Sequence, residues 1–470
     1  MAISYDRAVQ QLLALGHELA TNRKFDLDHM RVLAAALHHP DRRFQSMLVA
    51  GTNGKGSTAA TIASIVSTAG YRTGLYTSPH LLRINERIQI FTSQNGGEQI
   101  SDVEFALMYE RVNAVAEDLV CSGSLPWHPS FFEMLTAMAF EYFASTGVEL
   151  AVLEVGMGGR LDATNVVEPC LTVITDIDFD HQKFLGNTLP EITHEKAGIL
   201  RANVPVVLLP QHPVVNEALG REILDHDARA VSAVRNMASV TPASSVGLDG
   251  DESFMLSVLG EAISITPPLR GRHQLRNLAL AITAAEELNG MGFNISAANI
   301  EAGVRNTRWP GRFHVLPALR GFPEVVLDVA HNPAGAWALR STLSTLYEDR
   351  KLTFIFGAMR DKAIGEIAGI LFPLAERVIV TEAGNPRAAS AHEITELAQH
   401  TQSEIIEEKD VPSALESAGR FAGHDGVVVI TGSIYLVGEA MGLLSRVAAL
   451  QNFQQNMPAS TASPESVKGV

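Results

Sequence analysis

Short apolar runs alternate with helix-like patterns along most of this 470-residue chain. Each run is nearly continuous in apolar residues, which is typical of strands in a parallel sheet that helices cover on both faces. The pattern therefore predicts an α/β fold. Five such runs occur in the first half, namely RFQSMLVAG, YRTGLYTS, VELAVLEVG, CLTVITDID and VPVVLLP.

The same pattern starts again near residue 308, which indicates a second, smaller α/β domain of Rossmann-like type. We place the boundary at Arg308–Gly311, so the domains are predicted to span residues 1–308 and 309–450. The polar tail, 451–470, is predicted to be disordered. The runs of the second domain are PEVVLDVAHNP, KLTFIFGAM, RVIVTEAGNP and GVVVITGS.

A polar, alternating segment separates the two sets of runs. It reads SVTPASSVGLDGDESFMLSVLGEAISITPP and predicts a small antiparallel sheet. The stretch RHQLRNLALAITAAEELNG follows it and predicts a helix. We find no internal repeat in the chain.

A glycine-rich loop follows the first buried strand, in the stretch MLVAGTNGKGS that ends at Ser57. Three glycines in six positions indicate a tight turn or the close approach of a ligand. The backbone N–H groups of such a loop, and the N-terminus of the helix after it, attract phosphate. The loop departs from the standard G-x-x-x-x-G-K-[ST] pattern, because Val49 replaces the first glycine and Gly56 directly follows Lys55. It predicts a P-loop-like mononucleotide-binding domain, with a glycine-rich turn and a solvated lysine as the alternative.

The composition limits the classes of partner. Acidic residues outnumber basic ones by 52 to 36, and the formal net charge of −16 argues against nucleic acid or an anionic membrane as a partner. The two cysteines, Cys121 and Cys170, lie far apart and predict neither a disulfide framework nor a zinc site. The N-terminus is unlike a secretory signal, and apolar runs of about 18 residues are absent. We therefore expect a cytoplasmic protein.

Polar residues follow three of the predicted strands, at the position where ligands bind in open α/β sheets. Ser78 comes after the second run, Glu154 after the third, and Asp180 with His181 after the fourth. Magnesium prefers oxygen ligands, so Ser78 and Glu154 suit it better than His181 does. Each residue alone has a structural explanation, as a turn residue, an ion pair or a hydrogen-bonded histidine. Their common position after parallel strands favours a single ion site.

Nine motifs occur in the order GTNGKGS, YTSPHLLRINERI, EVGMGGRLDATN, DHQKFLG, HEKAGI, GRHQLRN, WPGR, DVAHNP and GAMRDK. In this order the chain resembles the folylpolyglutamate synthases and the bifunctional dihydrofolate/folylpolyglutamate synthases of the Mur-ligase-like superfamily. The resemblance explains the glycine that follows the loop lysine. It implies that the first domain is an ATP-binding, Mur-ligase-like central domain and that the second is a C-terminal ligase domain.

The resemblance implies one site for ATP and Mg²⁺. Lys55 and the amides of the glycine-rich loop would hold the ATP phosphates, and the second half of the chain would complete the site in the cleft between the domains. Catalytic roles are implied for Lys55, Lys196 and His181. The implied Mg²⁺ ligands are Ser78, Glu154 and His181. The implied ATP-binding residues are Gly51, Thr52, Asn53, Gly54, Lys55, Gly56, Ser57, Asn277, Arg312 and Asp328.

The family also carries a lysine that is carbamylated by CO₂ in the motif HEKAGI, and this lysine corresponds to Lys196. Carbamylation needs a neutral amine, and therefore a partly buried lysine with a lowered pKa. The product is an anion that can bind Mg²⁺ or orient groups around it. A plain surface lysine in a helix is the alternative.

Three further segments resemble the pteroate-binding parts of the bifunctional bacterial enzymes. Aromatic rings suit stacking against a flat pterin, and Asp162 suits its amino and N–H groups. The middle segment, FFEMLTAMAF, also has the spacing of a core helix. The implied substrate-binding residues are Asp26, Leu27, Phe131, Phe132, Glu133, Leu161, Asp162 and Ala163.

The implied reaction is ATP-dependent amide bond formation. A folate or pteroate carboxylate attacks the γ-phosphorus of ATP, and the α-amine of L-glutamate then attacks the acyl phosphate and releases phosphate. Positioning and charge neutralisation supply most of the catalysis in such a phosphoryl transfer. The implied partners are ATP, L-glutamate and a folate or dihydropteroate, with Mg²⁺ as cofactor and K⁺ as a candidate monovalent cation. We expect a monomer.

Two other functions share some of these features. Another Mur-type ligase, acting on UDP-linked peptides or on cyanophycin, would have the phosphate loop but is not expected to combine TSPHLLRINERI with GGRLDATN. A non-catalytic nucleotide-binding switch would hydrolyse ATP slowly or not at all. A panel of substrates distinguishes the first alternative from a folate ligase. Phosphate release that depends on glutamate would exclude the second.

Overall fold

The chain divides into two compact units in the computed structural model. The first unit comprises Met1–Phe313 with Asn332–Glu348, and the second comprises His314–His331 with Asp349–Val470. The division after Phe313 lies a few residues beyond the predicted boundary. The residues that the structure describes are 3–16, 26–237, 245–246, 252–318, 322–423 and 425–456.

Within the described residues, the first unit contains one eight-stranded sheet. Its strands are β1 (Gln45–Ala50), β2 (Thr73–Tyr76), β3 (Ile88–Thr92), β4 (Gly96–Gln99), β5 (Leu150–Glu154), β6 (Leu171–Ile174), β7 (Pro205–Leu208) and β8 (Arg229–Ser232). The order across the sheet is β4-β3-β2-β5-β1-β6-β7-β8. Strand β3 pairs antiparallel with β2 and β4, and all other neighbours are parallel. The predicted, mainly parallel sheet is confirmed.

Helices cover this sheet on both faces. The helices of the first unit are α1 (Tyr5–Ala14), α2 (Leu27–Ala36), α3 (Lys55–Thr68), α4 (Asp102–Cys121), α5 (Phe131–Ser145), α6 (Gln182–Leu185), α7 (Leu189–Ala197), α8 (Pro213–Asp225), α9 (Arg272–Gly290), α10 (Ala297–Asn306) and α11 (Pro333–Leu346). Short 3₁₀ helices lie at Pro40–Arg42, Ile84–Arg87, Ala163–Val166 and Ala233–Asn236.

Strand β1 illustrates why these strands are apolar throughout. Met47 and Val49 belong to a buried cluster that includes residues of α3 and α9. Leu48 and Ala50 alternate with them and belong to a second cluster, which includes residues of α5. Because successive side chains of a strand point to opposite faces, a sheet with a core on each side needs apolar residues at every position.

The polar segment after β8 forms the predicted antiparallel sheet. Its strands are β9 (Ser245–Val246), β10 (Glu252–Val258) and β11 (Glu261–Ile265). Strand β10 pairs antiparallel with both others. The connecting residues 238–244 and 247–251 lie outside the described part of the chain.

In the second unit, six strands form one sheet among the described residues. They are β12 (His314–Leu316), β13 (Glu324–Leu327), β14 (Leu352–Phe356), β15 (Arg377–Thr381), β16 (Ile405–Glu408) and β17 (Val427–Thr431). The order is β12-β13-β17-β14-β15-β16, and only the edge strand β12 is antiparallel. The helices are α12 (Ile364–Leu371), α13 (Ala391–Ala398), α14 (Val411–Ala422) and α15 (Ile434–Asn456), with 3₁₀ turns at Phe372–Leu374 and Gln399–Thr401.

Helix α15 extends into the segment that was predicted to be a disordered tail. It continues to Asn456, whereas the tail was predicted from residue 451. A helix is possible there because no glycine or proline occurs between Leu443 and Met457. Residues 457–470 lie outside the described part of the chain. None of the described helices is long and apolar enough to cross a membrane.

Candidate functional site

The glycine-rich loop joins β1 to α3 and requires glycine at two positions. Gly51 has a φ of +147°, and a Cβ atom placed there would overlap the Thr175 hydroxyl. Gly54 has a φ of +90° and precedes Lys55, where α3 begins. An L-residue with a side chain rarely adopts these angles. The turn places the loop next to the first N–H groups of α3. These N–H groups have no hydrogen-bond acceptor within the helix.

Hydrogen bonds fix this loop to the segment that follows β6. The N–H groups of Thr52 and Asn53 donate to the Asp176 carbonyl at 2.8 and 3.2 Å. The Thr52 hydroxyl donates to the Asp178 carbonyl at 2.9 Å and accepts from the Asp178 N–H at 3.0 Å. Since these two loop amides already have an acceptor, the amides from Gly54 onward are the ones best placed for an anion.

An ion pair supports the same segment, and the sequence analysis did not identify it. Arg276 donates to the Asp176 carboxylate through Nη2 at 2.6 Å and through Nε at 3.0 Å. This bidentate geometry fixes both partners in orientation as well as in distance. Arg276 directly precedes Asn277 in the motif GRHQLRN. The motif could therefore have indicated the arginine as well, but only Asn277 was predicted as a site residue.

Three side chains from other elements of the first unit cover the loop. Asn277 lies so close to Gly54 that a Cβ atom there would overlap its amide, and the Trp309 ring is 2.9 Å from a Cβ atom built at Gly56. Asn332 donates to the side chain of the loop asparagine at 3.0 Å. Asn277 was predicted for the nucleotide site, whereas the contacts of Trp309 and Asn332 were not.

Lys55 is half-buried at the start of α3, and its Nζ donates to the Thr52 carbonyl at 3.2 Å. Burial lowers the pKa of Lys55, and the carboxylates of Glu154 and Asp180 oppose this shift. Arg312 lowers the pKa further by adding a second positive charge near the amine. The carboxylates of Glu154 and Asp180 and the arginine of WPGR therefore lie within electrostatic range of the loop lysine.

Of the predicted Mg²⁺ ligands, Ser78 and Glu154 lie at strand ends, whereas His181 lies beyond β6, directly before α6. Glu154 ends β5 and is buried, and its carboxylate accepts from the Ser78 N–H at 3.2 Å. His181 has a φ of +50°, and its N–H donates to the Asp180 carboxylate at 2.9 Å. Within the described residues, no three His, Cys, Asp or Glu side chains cluster as a metal site. One carboxylate with one hydroxyl still fits Mg²⁺, which retains waters and shares its shell with phosphate oxygens.

Lys196 is buried in the last turn of α7, with 4% of the residue exposed. Its Nζ donates to the Gly51 carbonyl at 2.7 Å, so it contacts the backbone of the glycine-rich loop. Burial lowers the pKa of Lys196 to about 7, and the positive charge of Lys55 contributes to the shift. Burial therefore favours the neutral amine of this side chain, and the surface-lysine alternative does not fit its burial.

Asp162 is buried at the N-terminus of the 3₁₀ helix Ala163–Val166. One carboxylate oxygen accepts from the Thr164 N–H at 3.0 Å and from the Thr164 hydroxyl at 2.6 Å. The other accepts from the Met157 N–H at 2.9 Å. Burial raises the pKa of Asp162, and these hydrogen bonds oppose the shift. Only the remaining lone pairs are left to accept from a substrate.

The two aromatic residues that begin α5 lie in different surroundings. The Phe132 ring is half-buried, 6.0 Å from the Tyr76 ring and 2.6 Å from a Cβ atom built at Gly156. Phe131 is buried, with the Arg87 guanidinium 5.3 Å from its ring centre. The rest of α5 is largely buried, so the core-helix interpretation is right for the segment as a whole and only its first turn is left for a ligand.

The other residues predicted to bind pteroate have local structural roles or are apolar. Glu133 forms a capping box with Ser130, whose N–H donates to its carboxylate at 2.7 Å. Asp26 caps α2 by accepting from the Asp28 N–H at 2.9 Å. Leu27 and Ala163 are buried, and Leu161 is half-buried.

In the second unit, Asp328 directly follows β13 and is buried. Its carboxylate accepts from the Ala330 N–H at 2.9 Å. The Gly432 N–H, after the neighbouring strand β17, donates to the Ala330 carbonyl at 3.1 Å. The Nδ1 atom of His331 lies 2.9 Å from the Val329 carbonyl oxygen. Asp328 therefore lies at the carboxyl ends of parallel strands, where α/β sheets bind ligands.

Two family models match the chain. The model described as Mur ligase middle domain matches residues 131–285, and the model described as Mur ligase, glutamate ligase domain matches residues 311–434. The dihydrofolate synthase/folylpolyglutamate synthase of Bacillus subtilis is 35% identical over 88% of this chain and 93% of its own length. The folylpolyglutamate synthase of Lacticaseibacillus casei is 32% identical over 87% of this chain and 92% of its own length.

Solved structures agree with these matches. Folylpolyglutamate synthase of Mycobacterium tuberculosis complexed with ADP superposes with a TM-score of 0.83 at 33% identity, over 93% of this chain and 99% of that one. E. coli FolC in complex with DHPP and ADP superposes with a TM-score of 0.81 at 27% identity, over 95% of this chain and 99% of that one. The similarity therefore extends over both units of the chain.

Proposed function

The chain belongs to the dihydrofolate synthase/folylpolyglutamate synthase family, and from this premise we propose that it is an ATP-dependent ligase that joins L-glutamate to folates. In the proposed reaction a folate carboxylate attacks the γ-phosphorus of ATP and forms an acyl phosphate. The amine of L-glutamate attacks this acyl group, an amide forms and phosphate leaves. The observation that carries the proposal is the anchored glycine-rich loop with Lys55 at the start of α3 and Lys196 against its backbone.

Charge is the main obstacle in this reaction, because a carboxylate must approach a triphosphate. Lys55, Arg312 and the N-terminus of α3 supply positive charge at fixed positions. The reaction needs no nucleophilic side chain, since the attacking groups belong to the two substrates. The chain's own part is to align the reactants and to stabilise the charge that develops on the phosphoryl oxygens.

Ser78 and Glu154 would hold Mg²⁺, with His181 as the further ligand predicted from the sequence. Ser78 and Glu154 are buried at strand ends, and their side chains provide the oxygen ligands that Mg²⁺ prefers. When bound, the ion would neutralise phosphate charge and orient the phosphate oxygens. A role for K⁺ has no support from these residues and stays a prediction.

We expect Glu154→Gln to raise the Mg²⁺ concentration for half-maximal activity by about tenfold, because an amide is a weaker ligand than a carboxylate. The measurement is the initial rate of phosphate release at fixed ATP over a series of Mg²⁺ concentrations. Glu149→Gln is the matched control, since Glu149 precedes the same strand at its other end and is exposed. Superimposable Mg²⁺ titrations for the two variants would remove Glu154 from the ion site.

The carbamate on Lys196 is part of the same proposal. The buried amine with a pKa of about 7 has the chemistry that addition to CO₂ requires. Its product would place a negative charge beside Lys55, whose positive charge already acts on this side chain. The carbamate would thus replace the unfavourable effect of the Lys55 charge on a Lys196 ammonium group by attraction.

We further propose that the enzyme adds the first glutamate to dihydropteroate as well as extending folates. Asp162 and the half-buried ring of Phe132 are the groups that support a pterin site, since Gly156 leaves room for the ring. Both oxygens of Asp162 already accept hydrogen bonds, so the carboxylate is held in one orientation. A fixed acceptor of this kind favours substrates that can donate to it.

Incubation with Mg-ATP and L-glutamate tests both activities. We expect tetrahydrofolate and, in a separate reaction, dihydropteroate each to gain the mass of one glutamyl residue, with phosphate release that depends on glutamate. Reactions without glutamate serve as controls. If tetrahydrofolate is extended and dihydropteroate is not converted, the enzyme has folylpolyglutamate synthase activity but no dihydrofolate synthase activity. Phosphate release with neither product would contradict the ligase assignment.

The same experiment decides between this function and its two alternatives. A Mur-type ligase for another substrate would leave both pterin compounds unchanged, and a nucleotide-binding switch would not respond to glutamate. The monomeric state and the cytoplasmic location stay predictions from the sequence.

A further inference from the structure

Helix α10 is held tightly against α3, the helix that begins with Lys55. A Cβ atom built at Gly303 of α10 would lie 2.4 Å from the Ile65 Cα atom of α3, so only a glycine permits this close approach. The Ser64 hydroxyl of α3 donates to the Gly303 carbonyl at 2.7 Å. The last turn of α10 is therefore fixed to the C-terminal half of α3.

The segment after α10 returns to the N-terminal end of α3, where Trp309 lies against Gly56. A Cβ atom built at Gly56 would be 2.9 Å from the nearest ring carbon of Trp309, and the ring also packs against the buried cluster that includes residues of α3 and α9. Gly56 lies in the first turn of α3 without a left-handed φ, so its backbone does not require a glycine. The Trp309 ring gives the structural reason for the glycine that follows Lys55 in the phosphate loop.

Arg312 follows Trp309 by three positions and is half-buried. Its positive charge acts on Lys55, the residue before Gly56. Among the described residues, the Arg312 guanidinium has no hydrogen bond or ion pair that would hold it in place. The position of this charge therefore depends on how the fold holds the chain on either side of it.

The residues on both sides of Arg312 have a left-handed backbone. The φ angle is +78° at Gly311 and +44° at Phe313. A phenylalanine rarely adopts such an angle, and the surrounding packing must offset its cost. The Phe313 side chain is buried, and its ring centre lies 6.2 Å from that of Tyr347, directly after α11. Phe313 thus fixes the chain after Arg312, as Trp309 fixes it before.

We propose that Trp309 and Phe313 are positioning residues that hold the Arg312 guanidinium beside the phosphates of a bound nucleotide. The inference rests on the proposed function for the identity of the ligand. Because Trp309 lies on the first turn of α3, the arginine is fixed to the same helix that presents Lys55 and its own N-terminal N–H groups. Fixing the backbone on both sides of a long side chain reduces the entropy that is lost when the nucleotide binds.

A double-mutant cycle tests whether Trp309 acts through Arg312. The variants are Trp309→Ala, Arg312→Ala and their combination, and the measurement is calorimetric titration of the full chain with the non-hydrolysable ATP analogue Mg-AMPPCP. We expect Arg312→Ala to bind about tenfold more weakly and Trp309→Ala about fivefold more weakly. The combination should bind no more weakly than Arg312→Ala alone. Trp337→Ala is the matched control, because Trp337 is a tryptophan of the same unit that is 58% exposed.

Two further variants extend the cycle. Phe313→Ala should also weaken the binding of Mg-AMPPCP in the natural chain and have no further effect in the Arg312→Ala background. Trp309→Phe keeps an aromatic ring against Gly56 and should bind Mg-AMPPCP more tightly than Trp309→Ala does. Thermal melting curves check that each variant is folded.

A second experiment leaves Trp309 in place and changes the surface on which it lies. Gly56→Ala keeps the backbone amide and suits a helix, but its methyl group would displace the Trp309 ring. We expect about fivefold weaker binding of Mg-AMPPCP, and no further loss when Arg312→Ala is already present. Gly220→Ala is the matched control, because Gly220 lies in α8 with no atom within 4 Å of its Cβ position. This variant empties no space in the core, so it decides the matter even if Trp309→Ala does not fold.

Two results would overturn the proposal. The first is that the losses of affinity from Trp309→Ala and Arg312→Ala add in full in folded variants. The second is that Gly56→Ala binds Mg-AMPPCP as tightly as Gly220→Ala does. Ligase turnover of the same preparations is measured in parallel. Additive losses in a chain that turns over refute the positioning role and leave the proposed function intact, whereas coupled losses in a chain without turnover contradict only the ligase assignment.

Discussion

Lys55→Ala is expected to lower ligase turnover by about 10²–10³-fold, the range for loss of one preorganised charged donor in phosphoryl or acyl transfer. The substitution removes the positively charged side chain of the loop and leaves the backbone bonds of Thr52 and Asn53 to the Asp176 carbonyl intact. Because burial disfavours the ammonium of Lys55, we expect the thermal stability of the variant to be equal to that of the natural chain or higher.

The measurements are kcat from phosphate release and a melting curve without nucleotide. Lys351→Ala is the matched control, since Lys351 is an exposed lysine of the second unit that pairs with Glu376 at 2.7 Å. A folded Lys55→Ala variant that turns over like the Lys351→Ala variant would contradict the role of the loop lysine. Loss of turnover together with loss of the melting transition would point to folding instead.

Lys196→Ala is expected to lower kcat by about 10²-fold, because it removes a buried group that contacts the Gly51 carbonyl and any carbamate on it. Acetate or propionate should restore part of the activity by supplying a carboxylate in the space that the side chain leaves. Lys196→Met is the matched control, since it fills that space and leaves no room for the added acid. Equal rescue of both variants would contradict a specific carboxylate at this position.

The pH dependence of Lys196 follows from the direction of its pKa shift. Burial lowers the pKa to about 7 in the folded chain from the ordinary 10.5, so the unfolded chain binds more protons between these values. The contribution of Lys196 to the free energy of unfolding therefore rises with pH from about 7 to about 10.5 and is least favourable below pH 7. Carbamate formation needs the same neutral amine, so ¹³C-labelled CO₂ should give a stronger carbamate NMR signal at pH 8 than at pH 6.

Much of the fold could be predicted because the local signals and the tertiary environment agree. The strands around Met47 and Leu150 are continuously apolar, and the structure buries them between two helical layers. The family resemblance is confirmed by relatives that match most of the chain. The part of helix α15 beyond residue 450 was not predicted. The polar composition of this segment indicated disorder, although the segment contains no helix-breaking residue before Met457.

The contacts of the candidate site were harder to predict, because they join residues that are distant along the chain. Arg276 meets Asp176 across 100 positions, and Asn332 meets Asn53 across 279. A motif can indicate that such residues matter, but which atoms meet depends on the packing of several elements.

The anchoring of the glycine-rich loop has a consequence for the thermodynamics of nucleotide binding. The bonds of Thr52 and Asn53 to Asp176, and the ion pair of Asp176 with Arg276, are formed by groups of the protein alone. The conformational entropy of these loop residues is therefore lost when the first unit folds. A nucleotide that binds to a loop already restricted in this way keeps a larger share of its contact energy as affinity.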